Sequence, residues 1–227
     1  MGPGGGGGTF NRPITSQEAV LREIRQAIMS RQLKPGERVR QWDLAKRLNV
    51  SSVPIREALK TLEAEGQVTY EPHRGYTVVR LSIEDVEEIY LMRRVLETEG
   101  TTQAVPKVDV DLVQHLERLV GQMDEFANAG DVLDYTEANR RFHLLLFERA
   151  ELPRLYRLIE ILWQNTEAYR GLIFDSIWYE HAQEDHRELL DACREKDVFR
   201  ALAVQDRHRS KALSKITSLL KEIETES

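Results

Sequence analysis

The sequence predicts a mainly α protein: a small helical head closed by a β-hairpin, joined to an antiparallel all-α bundle of about six helices. Three observations lead there. Leu44 and Leu48, then Ile55, Leu59 and Leu62, recur at helical spacing across a short break. Two β-prone runs on either side of Pro72–Gly75 follow directly. After residue 80 the apolar residues keep the helical period and strand signals cease.

Taken in order, Met1 to Gly8 is a glycine run with one proline that cannot pack, so residues 1–12 form a disordered leader. Thr15 or Ser16 can cap a helix reaching about Ser30, with Val20, Ile24, Ala27 and Ile28 as its buried stripe. Leu33 to Glu37 is a turn, with Pro35 and Gly36 adjacent. In the break between the next two helices, Asn49 tolerates the left-handed conformation that ends a helix. Ser51 can cap the second helix, and Pro54 fits its first turn. Helix, tight turn and helix make a helix-turn-helix. Its second helix presents Ser51, Ser52 and Arg56 at the N-terminal end, where recognition helices touch DNA. A plain helical hairpin with Arg56 as a solvated charge is the other reading. Gly66 stops that helix, and Gln67–Tyr70 and Tyr76–Val79 form a hairpin, or wing, with His73 and Arg74 at its tip, where they reach a phosphate or the minor groove.

Ser82 caps a long helix over Ile83–Ala104, with Glu84 and Asp85 in its first turn. Val105–Lys107 breaks it. Asp109–Ala127 follows, striped with Leu112, Leu116, Leu119, Val120, Met123 and Phe126, and Asn128–Gly130 breaks again. Asp131–Ala150 and Leu152–Ile173 come next, the latter broken near Gly171. Residues 175–181 read as aromatic and irregular. His181–Lys196 and Val198–Glu224 complete six helices.

Composition narrows the class. With 41% hydrophobic and 31% charged residues over 227, the chain has an ordinary soluble composition. No apolar run approaches the ~18 residues of a bilayer span. The N-terminus lacks a secretory pattern, and the single Cys193 excludes an internal disulfide, so a cytoplasmic protein without membrane partners is expected. The net charge of −6 hides an asymmetry. Residues 1–80 hold 13 Lys and Arg against 8 Asp and Glu, a charge of +5, and the remaining 19 against 30 give −11. A basic head on an acidic body suits a DNA-reading module at residues 13–80 and a separate body at 81–227.

The stretch LAKRLNVSSVPIREALKTLEAEGQV followed by HRGYTVV resembles the winged helix-turn-helix of the GntR family of bacterial transcription regulators. LKPGERV before it also matches the family's habit. The six-helix acidic body resembles the FCD effector-binding domain of the FadR subfamily in its smaller, VanR-like variant. IYLMRRVLETEG is similar to the first FCD helix, and NRRFHLLLFERA to the third. The resemblance spans roughly residues 14–224. It implies a homodimer on a pseudo-palindromic double-stranded operator. Lys46, Arg47, Ser51, Ser52, Val53, Arg56, His73, Arg74 and Gly75 are then the DNA-contacting set. Where the family often has Arg this chain has Ser52, which cannot make a bidentate guanine contact, while Val53 can press on a thymine methyl. The operator should therefore differ from the common family site.

The body carries a second constellation. Asn139 and His143 share a helix face, and His186 and His208 lie on two later helices. Three imidazoles converging in a bundle can bind a divalent metal of the Zn, Ni or Mn type. They are 43 and 22 residues apart and no short motif links them, so each is equally readable as a surface or satisfied core histidine. The resemblance decides, because many FCD domains bind a metal through an Asp-x3-His on this helix and two later histidines. Asn139 stands where the family usually has Asp, which makes the site one unit more positive and weaker for metal. Arg93, in an Arg-x3-Glu pattern with Glu97, is either an inward arginine that holds an effector carboxylate or a surface ion pair. Trp163, Tyr169, Phe174, Trp178 and Tyr179 read as core or pocket wall. The function implied is a repressor controlled by a small organic acid or sugar acid. A metal-sensing repressor and, behind it, a metal-dependent hydrolase are the alternatives.

Overall fold

The computed structural model describes residues 16–30, 32–172 and 176–225. The head comprises α1 (Ser16–Met29), β1 (Arg38–Val39), α2 (Gln41–Leu48), α3 (Ser52–Ala64), β2 (Val68–Glu71) and β3 (Gly75–Val78). The stripe Val20, Ile24, Ala27 and Ile28 packs α1 onto α3 through Ile55, Leu59 and Leu62, and Tyr76 and Val78 of the wing close the same core. Asn49 ends α2 in the left-handed region, at φ 52 and ψ 44, as its short polar side chain allows. The wing has a third strand that the sequence reading missed. β1 pairs antiparallel with β3, with Arg38 opposite Thr77, so the sheet order is β1-β3-β2. Two residues are too few to display a period-2 pattern.

The body comprises α4 (Ile83–Ala104), a 3-10 turn (Val105–Lys107), α5 (Val110–Ala129), α6 (Val132–Glu148), α7 (Pro153–Leu172), α8 (Ser176–Glu195) and α9 (Val198–Thr225). Ser82 and Asp85 form a reciprocal capping box that starts α4: the Ser82 oxygen accepts from the Asp85 N–H and the Asp85 carboxylate from the Ser82 N–H. Asp109 and Asp131 cap α5 and α6 one way only, their carboxylates accepting from the Leu112 and Asp134 N–H groups. Leu112, Leu116 and Met123 of α5 bury against Phe142 and Leu146 of α6, and against Leu189, Cys193 and Val204 from α8 and α9.

The described part of α7 ends at Leu172, beside Gly171, where the sequence reading put a break. One expectation about the body fails. Residues 176–181 are helical, because α8 starts at Ser176 and His181 sits inside it rather than opening it. Tyr179 secures that first part of α8 by donating its hydroxyl to Asp124 of α5 at 2.6 Å. Among the described residues, no helix is long and apolar enough to cross a membrane. The leader, residues 1–12, lies outside the described residues, as do Phe174 and the side chain of Trp178.

Helix α7 also holds the head. The Asn165 amide donates to the Glu65 carbonyl at the end of α3 (3.1 Å). Gly66, at φ 71, lets it approach, since a Cβ there would collide with that amide. One turn on, the Tyr169 hydroxyl accepts from the Leu81 N–H at 2.8 Å and lies 3.3 Å from the Val79 carbonyl, so it grips the linker into α4. Arg22 of α1 adds an ion pair with Asp134 of α6 at 2.6 Å.

Candidate functional site

The head exposes most of the side chains that the sequence reading named as DNA contacts. Lys46, Arg47, Ser51, Ser52, Val53, Arg56, His73 and Arg74 are all exposed, with Gly75 half-buried behind them. Ser51 occupies the N-cap position of α3, yet its side chain makes no capping hydrogen bond. The expected cap is therefore a position without the bond. The wing tip is tight. His73 has φ 65 and Gly75 φ 83, a conformation that glycine enters at no steric cost. Arg74 leans on Glu71 at 3.1 Å, and Lys46 lies 5.3 Å from the centre of the Trp42 ring.

In the body, the three histidines meet. His143 from α6, His186 from α8 and His208 from α9 are all buried, and each offers a ring nitrogen within 4.8 Å of the others. The Nε2 atoms of His143 and His186 are 3.2 Å apart. Two nitrogens bound to one tetrahedral ion at about 2.05 Å lie about 3.3 Å apart, so this pair fits a shared metal. His186 Nδ1 lies 2.7 Å from the Gln183 Oε1, an acceptor, which places the proton on Nδ1 and frees Nε2 for the site. Gln183 is itself held by Asp124 through its amide nitrogen at 2.9 Å. Behind His208, at 3.5 Å from Nδ1, stands Asp185, nearly fully buried. Burial works to raise its pKa, but hydrogen bonds from His208, Lys211 and Arg207 outweigh it and hold the carboxyl well below the usual range. Asn139 is buried one turn before His143 on α6.

A second buried charge cluster adjoins the first. Glu97 accepts from Arg93 Nε at 2.7 Å, Trp163 Nε1 at 2.8 Å and Arg209 Nη1 at 2.8 Å. The side chains of Arg93, Glu97 and Arg209 are 3%, 1% and 4% exposed. Burial works to raise the Glu97 pKa, but the two guanidiniums hold it below the usual carboxylate value. The surface-pair reading of Arg93 and Glu97 is thus wrong, since the pair faces inward. The Arg93 guanidinium stacks 4.1 Å over Trp163 and 4.8 Å from the Tyr90 ring centre, and its buried Nη1 has no hydrogen-bond partner among the described residues. Trp163 in turn lies 4.9 Å from the His143 ring, so one aromatic side chain joins the arginine to the histidines. Gln183, Asp185 and Arg209 were missed from sequence. Their only sequence signal is helical proximity to a histidine.

Residues 16–78 match the bacterial regulatory proteins of the gntR family, and residues 88–211 match the FCD domain. The chain belongs to the GntR family. Its body is an FCD domain. Among relatives, it is 30% identical over 193 residues to the uncharacterized HTH-type transcriptional regulator YdhC of Bacillus subtilis, spanning 83% of this chain and 85% of that one. It is 25% identical over 187 residues to the HTH-type transcriptional repressor RspR of Escherichia coli, spanning 82% and 81%. The solved structure of E. coli McbR/YncC superimposes with a TM-score of 0.72 at 23% identity over 93% of this chain and 99% of that one, which shows a shared fold.

Proposed function

We propose that this GntR-family protein is a dimeric DNA-binding repressor of transcription. Its grip on a two-fold operator is set by a small carboxylate or sugar acid bound in the body, together with a divalent metal. The observation that carries this reading is the contiguity of a donor-only arginine, a tryptophan and three buried imidazoles, on a chain whose basic head is a winged helix-turn-helix. His143, His186 and His208 would hold the metal, with the Asn139 oxygen as a neutral fourth candidate. The metal would supply a Lewis-acid anchor for an anionic oxygen. With Asn139 in place of a carboxylate, no ligand charge offsets the ion, which favours an anionic effector. Arg93, with Nη1 uncommitted, would take the effector's second oxygen. The repressor RspR among the relatives supports the sign of regulation.

An effector changes DNA affinity only if it binds one arrangement of the body better than another. Helix α7 supplies the link, because it carries Trp163 at the site and Asn165 and Tyr169 at the head. A shift of Trp163 toward a bound acid would move the grip on Glu65 and Leu81, and so reset the spacing of two heads on the operator. The domain division at residues 80–81 falls in this gripped linker.

Metal analysis of the purified protein and of His143→Ala tests the reading. About one ion per chain, lost in the variant, is expected, followed by thermal stabilisation of the zinc-loaded wild type by citrate or gluconate. Wild type without metal that is also indifferent to both acids would overturn it. Zinc alone shifting operator binding, with no acid effect, would favour the metal-sensing alternative.

A further inference from the structure

Two buried donors on α4 are left over. Tyr90 is 3% exposed, and among the described residues its hydroxyl has no hydrogen-bond partner. Its ring packs among Val86, Tyr169, Ala212 and Ile216, where a phenyl group would fill the same space. Burying a hydroxyl without a partner costs stability, so packing alone does not account for a tyrosine here. The second donor is Nη1 of Arg93, one turn along the helix. Tyr90 and Trp163 stack on that guanidinium, so its hydrogen bonds run in its own plane. Nε donates to Glu97, and Nη1 has no acceptor among the described residues.

Tyr90 also lines a groove of about 240 Å³ between α4 and α9, together with Leu91, Arg94, Asp206, Arg209 and Leu213. Arg209 ties this groove to the buried cluster, donating to Glu97 at 2.8 Å and to Asp206 at 3.2 Å. The same side chains lead on to the histidines. The Arg93 guanidinium is 4.8 Å from the Tyr90 ring centre and 4.1 Å from that of Trp163, and Trp163 lies 4.9 Å from the His143 ring.

We infer that Tyr90 is an effector contact, and that the effector carries a second carboxylate beyond the one placed at the three histidines. The inference rests on the effector reading above and narrows its ligand class. One carboxylate sits at the imidazoles. The other lies toward the groove and accepts from the Tyr90 hydroxyl and Arg93 Nη1, since its two oxygens can serve two donors. An acid with a single carboxylate occupies one end and leaves the two donors unmet. Unmet buried donors are what make a site reject the analogue that lacks the acceptor.

The test is isothermal titration of the zinc-loaded protein with citrate, which has further carboxylates, and with gluconate, which has one. The wild type should bind citrate more tightly. Tyr90→Phe should weaken citrate at least about 10-fold, the loss of a hydrogen bond to a charged group, and leave gluconate unchanged. Zinc content measured after the titration should be the same in both proteins. Without acid, Tyr90→Phe should melt no lower than the wild type, because it removes a hydroxyl that has no partner; a hydroxyl with a structural role would lower Tm on removal. Citrate bound equally by both proteins, equal losses for the two acids, a wild type that prefers gluconate, or a less stable Tyr90→Phe would each overturn the inference and leave the effector reading in place. A wild type that binds neither acid would count against the effector reading itself and overturn the inference with it.

Discussion

Replacing Glu97 by alanine should be among the most destabilising single changes in this protein. The carboxylate accepts from Arg93, Arg209 and Trp163, at 2.7, 2.8 and 2.8 Å, inside a region where all three charged side chains are nearly inaccessible. Removing it leaves two guanidiniums and an indole N–H without their acceptor in a low-dielectric site. Breaking a buried pair by deleting one partner costs about 3–5 kcal/mol. For a chain of this size that lowers Tm by roughly 6–20 °C at about 2–4 °C per kcal/mol. Glu97→Gln keeps the volume and one acceptor and should lose less, about 1.5–3 kcal/mol. The assay is urea unfolding of wild type and variants at one fixed protein concentration, because dimerisation would add to stability. The pH dependence has a definite sign. The folded-state pKa of Glu97 lies below its ordinary value, so its contribution is complete above about pH 4.3 and fades as pH falls through the lower folded value. The Gln variant should lack that part of the acid loss. A Glu97→Ala loss under about 1 kcal/mol would refute the argument that this cluster is a buried, mutually dependent unit.

Other changes probe the remaining links. Gln183→Ala removes the acceptor that sets the His186 tautomer, and should weaken zinc affinity by 10–100-fold in a competition titration, as loss of an outer-shell partner usually does. Arg56→Ala should weaken operator binding in gel shifts. If Arg56 meets a phosphate, the slope of log affinity against log salt should fall by about 1. Tyr169→Phe deletes the hydroxyl held by Leu81 and Val79. Metal content should be unchanged while the effect of zinc plus citrate on operator affinity shrinks.

Much of this molecule could be read from local sequence, and the reason is visible in particular elements. The Asn49 turn, the Ser82–Asp85 capping box and the apolar stripe of α5 are encoded within one or two turns. The start of α8 was not: the contact that fastens it, Tyr179 to Asp124, reaches 55 residues back along the chain and leaves no local pattern. Arg93 shows the limit most clearly. A pair four residues apart on a helix has the same spacing on the surface as in the core, and the groups that enclose this one come from far along the chain: Trp163 stacks on Arg93, and Arg209, 112 residues downstream, bonds Glu97. The histidines carried no linking motif, and family resemblance alone suggested their convergence. The contacts of Asn165 and Tyr169 with the head join elements 90–100 residues apart, with no local pattern to announce them.

The central claim is that the three-histidine site governs the hold of the head on DNA. Fluorescence anisotropy on an operator selected from a random DNA pool tests it most directly, comparing the wild type and His143→Ala with and without zinc plus the acid that stabilises the wild type. The account predicts that the combination releases the wild type from DNA and leaves the variant bound. An equal response of both proteins, or wild-type affinity untouched by any of these additions, would contradict it.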